Sequence, residues 1–174
     1  MSTSSRLFAR LNDQTDNLLD DVLDAFLVAG RNPKVSRWSV YEHLDHLARA
    51  DAAMLDRIDT CLSDQGVTTG TTTWLGRLVL ASGSVPRGKA EAVNSTLPAP
   101  LPAEGHLEPG ALAAHFHIID HRLHALETHG KAVLANRKHA ESPLYGWLRP
   151  AQWLRIMEIH RRHHLGIIED IMSS

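Results

Sequence analysis

The sequence predicts an all-α four-helix bundle in which a long crossover joins the second helix to the third. Three observations carry this. Apolar residues recur at spacings of three and four in four separate stretches, the period of one buried helix face. No stretch alternates apolar and polar residues over a useful length, so strands have no support. Between the second and third helical stretches, Pro86, Pro98, Pro100, Pro102 and Pro109, with Gly105 and Gly110, prevent a long regular element. The 174 residues suit one domain over 1–174 with a sizeable core, and 43% hydrophobic residues exclude disorder by composition.

The first helix is predicted over residues 5–29. Leu7, Leu11, Leu18, Val22 and Phe26 share a face that Leu19 and Leu23 widen, and Gly30 suits the position just past its end. Asp13, Asp16, Asp20, Asp21 and Asp24 spread around the helix rather than converging, which reads as a solvated face. Arg31-Asn-Pro-Lys is a turn. Ser39, with Glu42 three residues later, forms the capping box of a second helix. That helix carries Val40, Leu44, Leu47, Met54, Ile58 and Leu62 as its stripe and reaches Gly66. His43 and His46 flank the stripe. His46 lies about 100° around from Leu47, so it points along the edge of the core.

Residues 66–110 are the least regular part, a crossover packed over one end of the bundle. Connections of that length often cover a site. Trp74-Leu-Gly-Arg-Leu-Val-Leu-Ala predicts one or two helical turns within it. Arg87 and Lys89 read as solvated charge, with substrate contact as the alternative. Trp74 and the apolar crossover suggest a homodimer. Pro109 suits the first position of the third helix, whose stripe is Leu112, Phe116, Ile119, Leu123 and Leu126. His117, His121 and His124 share a face of that helix. Each lies two residues from a stripe member, about 200° away, so the face is predicted to be exposed. Glu141 to Pro150 reads as a turn.

The last helix begins at Pro150. Its stripe runs through Trp153 and Met157 to Ile167 or Ile168 and then Ile171, and the period places His160 and His164 at its core-facing centre. Residues four apart sit one turn apart, with Cβ atoms about 5–6 Å from each other, which suits two imidazoles sharing a metal ion. A hydrogen-bonded buried pair, or a helix rotated to expose both rings, would satisfy the same spacing. A catalytic metal site typically takes three protein ligands and leaves a position open. His46 is the best third candidate. Glu158 and Asp45 are alternatives, or partners that orient a ligand ring. Imidazole suits zinc, nickel, copper and iron, and a divalent transition metal, zinc or nickel first, is the expected cofactor.

Composition excludes several classes. A net charge of −2 offers no basic excess for nucleic acid. No run approaches the ~18 apolar residues of a membrane span. The opening Met-Ser-Thr-Ser-Ser-Arg has no leader-like apolar run, so a cytoplasmic location is expected. A lone cysteine, Cys61, excludes an intramolecular disulfide and a Cys-rich zinc site, and reads as inert.

Two blocks resemble the DinB/YfiT-like superfamily. Trp38-Ser-Val-Tyr-Glu-His-Leu-Asp-His46-Leu resembles its second-helix motif, with a histidine eight residues after the tryptophan. Ser142-Pro-Leu-Tyr-Gly-Trp-Leu-Arg-Pro-Ala-Gln-Trp-Leu with His160-Arg-Arg-His163-His164-Leu-Gly resembles its final motif. The resemblance implies a four-helix bundle with the long crossover and a metal triad of His46, His160 and His164, with His163 beside it. It also implies hydrolysis, or transfer of a low-molecular-weight thiol onto an electrophile, with a small molecule as substrate. Glu158, Asp45 and His43 are the available proton-handling groups. The alternatives are a non-catalytic metal-binding or stress-associated interaction protein, and a metal-free bundle. Many relatives carry Gln three residues after the second histidine of the pair; here the position is Ile167.

Overall fold

Ser39 starts the helix that carries half of the candidate site. In the computed structural model, which describes residues 3–23, 30–85 and 109–173, its side chain accepts the Glu42 amide at 3.2 Å, and Glu42 accepts the Ser39 amide at 2.7 Å. The predicted capping box is therefore closed, and α2 runs Val40–Leu62. Ser39→Ala is expected to lower stability by about 1 kcal/mol, read as a shift in the urea midpoint.

Among the described residues the other helices are α1 (Thr3–Leu23), α3 (Trp74–Ser82), α4 (Pro109–Thr128), α5 (Gly130–Ala135) and α6 (Pro150–Met172). The protein is thus predominantly helical, as its periodicity predicts. α2 packs against α6 and α4, and α1 packs against α4 and α6. Leu11, Leu18, Leu44, Leu47, Leu55, Ile58, Leu112, Phe116, Leu123 and Met157 fill the core at 0% exposure. Val22 and Phe26, expected on the apolar face of the first helix, and Arg87 and Lys89, read as solvated charge in the crossover, lie outside the described side chains. Trp74 is 75% exposed and Leu78 47%. No helix among the described residues is long and apolar enough to cross a membrane.

Two expectations need correction. Leu62 is 37% exposed and Cys61 is buried in its place. The end of α2 meets the segment before α6 there, and the Cys61 thiol donates to the Leu148 carbonyl at 3.5 Å. The stretch read as a turn is a small antiparallel hairpin, β1 (Ala140–Ser142) and β2 (Gly146–Leu148), with Ala140 opposite Leu148. Strands of three residues are too short for alternation to register. The hairpin lies on the chain between α2 and α3. Val67 and His139 exchange backbone bonds at 3.1 and 2.7 Å, and Thr73 and Trp147 donate to Tyr145 and Thr71. Gly146, at φ +74°, lets the strand pass against Thr71, whose oxygen would lie 2.6 Å from an added Cβ. This clasp delivers the chain to Pro150, the first residue of α6.

A second tie crosses the bundle interior. Arg161 and Asp51 are both at 0% exposure, with Arg161 Nε on Asp51 Oδ2 at 2.7 Å. Arg161 Nη1 also donates to the Leu11 carbonyl and to Thr15 Oγ1, each at 2.8 Å. One guanidinium thereby links α1, α2 and α6 beside the histidines.

Candidate metal centre

The capping box fixes where α2 begins, and so places His43 and His46 in its first two turns. The proline start and the hairpin do the same for α6, placing His160 and His164 at its middle. The α2–α6 contact then brings the rings together. His46 is 5% exposed and His164 6%, while His160 keeps an edge at the surface. Ring centroids stand 5.1 Å apart for His46 and His160, 4.9 Å for His46 and His164, and 4.6 Å for His160 and His164. One nitrogen from each ring lies within 4.8 Å of the others.

This donor set fits a transition metal. Two imidazole nitrogens bound tetrahedrally at about 2.0–2.1 Å stand roughly 3.3–3.4 Å apart. His46 Nε2 and His160 Nε2 are 3.2 Å apart. Burial also favours the protonation state that a metal requires. Burial lowers His46 to about 4 against the opposing charge of Asp45, and burial holds His160 and His164 well below the ordinary histidine value, helped by the neighbouring rings. Neutral imidazole is the form that binds a metal. His160 Nδ1 is buried and has no hydrogen-bond partner among the described residues.

Three further groups frame the rings. Trp38 lies parallel to His164, with centroids 6.1 Å apart and planes at 10°, and is tilted against His46 at 5.0 Å. His163 meets His164 edge-on at 5.2 Å. His43 Nδ1 is 2.8 Å from His164 Nδ1, and His43 Nε2 is 2.9 Å from Ser36 Oγ. Burial, and then the charges of His46 and His163, lower His43 to about 4. Sequence reasoning offered His43 only as a proton-handling group and did not find Ser36. The available signal was spacing: His43 is three residues before His46, one turn away on a neighbouring line of the same helix.

The two carboxylates fare differently. Asp45 is buried, receives Arg49 Nε on both oxygens at 3.1 and 2.9 Å, and acts on His46 through its charge. Glu158, expected beside the ligand rings, is held elsewhere. Its oxygens pair with Arg155, with Arg162 at 2.5 Å and with Arg10 at 3.7 Å. Two residues before His160 is about 200° around the helix, which turns Glu158 to the other side. The rival histidines of α4, His117, His121 and His124, are exposed as their spacing predicts. Among the described residues, only His46, His160 and His164 form a cluster of metal-ligating geometry.

A family model described as the DinB superfamily matches residues 4–168. No curated protein and no solved structure matches the chain.

Proposed function

The chain belongs to the DinB superfamily, and from that premise we propose that it is a metal-dependent enzyme whose ion is held by His46, His160 and His164. The convergence of these three buried or part-buried rings carries the reading. Three imidazoles leave one position of a tetrahedral ion free, the arrangement of catalytic rather than closed structural sites. The cofactor is a divalent transition metal, zinc or nickel first. Bound there, the ion would supply Lewis acidity toward whatever occupies the free position. Trp38 walls the rings on one side, and the exposed edge of His160 offers a small-molecule substrate its approach. The reaction is hydrolysis or transfer of a low-molecular-weight thiol to an electrophile.

Metal content tests the site. Wild-type protein is expected to carry the ion after purification, and His46→Ala and His160→Ala are expected to lose it. Full occupancy in both variants would sink the assignment. Activated esters and amides, assayed beside electrophiles with added thiol, separate the chemistries, because a hydrolase turns over without thiol. A non-catalytic metal-binding protein is the second reading, favoured by Ile167, a hydrocarbon packed against the core where many relatives carry Gln. Retained metal with no turnover on either substrate set would select it.

A further inference from the structure

We propose that His43 is a positioning residue for the metal site: by accepting the Nδ1 proton of His164, it leaves His164 Nε2 as the bare nitrogen that faces the ion. The inference rests on the metal reading above and concerns how one ligand is prepared.

The two Nδ1 atoms stand 2.8 Å apart, so one of them must carry the proton between them. Ser36 Oγ lies 2.9 Å from the far nitrogen of His43 and receives the Trp38 amide at 3.1 Å. Two proton arrangements satisfy these contacts. In one, His43 donates from Nδ1 and accepts the Ser36 hydroxyl proton at Nε2. His164 would then hold its own proton on Nε2, the nitrogen left for the ion, and could not bind through it. In the other, His164 donates from Nδ1 to His43, and His43 donates from Nε2 to Ser36 Oγ. Only this arrangement keeps every contact and leaves a lone pair on His164 Nε2. A ligating histidine whose other nitrogen has a fixed acceptor is held in one tautomer and one ring orientation. Ser36 extends the control by one bond, since its oxygen accepts the His43 Nε2 proton and keeps His43 Nδ1 bare.

The test uses zinc as the probe and the full chain. Zinc affinity is measured by competition with a chromophoric chelator for wild type, His43→Leu, His43→Gln, Ser36→Ala and His164→Leu. His43→Leu is expected to weaken binding roughly 10–100-fold, the usual loss when such an outer partner is removed. His43→Gln, whose amide oxygen can accept the same proton, is expected to recover most of that loss. Ser36→Ala is expected to fall between. In the zinc-loaded wild type, nitrogen-15 spectra are expected to place the His164 proton on Nδ1 and the metal on Nε2. Wild-type affinity in His43→Leu, with none in His164→Leu, would overturn the positioning role and leave the metal site standing. Full affinity in His164→Leu, or no zinc binding by wild type, would overturn both. Should His43→Leu fail to fold, the wild-type spectra decide: zinc on His164 Nδ1 overturns the proposal without any variant.

Discussion

Alanine at Asp51 is expected to remove about 3–5 kcal/mol of stability, the range for stripping one partner from a buried ion pair. Asp51 Oδ2 takes Arg161 Nε at 2.7 Å, with both residues at 0% exposure. The variant leaves a fully buried guanidinium that cannot shed its proton and has lost its carboxylate partner. Its bonds to Leu11 and Thr15 do not neutralise it. The pair itself is an expensive device. Burial raises the Asp51 carboxyl above its usual value even with Arg161 beside it, and Asp51 Oδ1 and Arg161 Nη2 have no partner among the described residues. Replacing both residues, Asp51→Leu with Arg161→Met, is therefore expected to restore most of the loss. Urea unfolding of the two variants measures this. A single-variant loss below about 1 kcal/mol would place the pair among weak surface bridges instead.

Stability of the metal-free protein is expected to fall steeply as pH is lowered from 6.5 toward 4. The unfolded chain protonates its histidines near pH 6.5. In the folded chain, burial delays His43 and His46 to about pH 4, and holds His160 and His164 well below the ordinary value. Across that window the unfolded state binds protons that the folded state refuses, so unfolding takes up protons and stability declines with falling pH. Each ring contributes about 1.4 kcal/mol per pH unit well inside the window. Several rings together make this a large part of a typical stability of about 5–15 kcal/mol. Urea midpoints of the metal-free protein at pH 7, 6 and 5 check the slope, and a flat profile would contradict it. Bound metal competes for the same lone pairs, so its affinity falls with pH in the same direction.

Helices are legible in this chain because burial repeats along them. Trp153, Met157, Ile168 and Ile171 are buried on α6, and the gap in that series points to His160 and His164. The same arithmetic turns His117, His121 and His124 outward. Periodicity states which side of a helix is buried but not what the neighbouring helix sets against it. His46 reads as an edge residue until α6 lies beside it. His43 has no visible task until His164 arrives from 121 positions away. Glu158 shows the converse. Its place two residues before His160 suggests proximity, yet the turn of the helix and three arginines assign it elsewhere. The hairpin leaves no trace in pattern because its strands are three residues long and its pairing depends on Gly146.

The partners in the site come from opposite parts of the chain: His46 and His160 are 114 positions apart. Translation runs from the N-terminus, so a growing chain that has completed α2 and α4 still lacks two of the three rings. If the three rings hold a metal as proposed, that site is complete only once residue 164 has left the ribosome and α6 has docked. On that reading, loading at this site waits for the finished bundle, and a chain arrested before α6 is made carries one of its three rings.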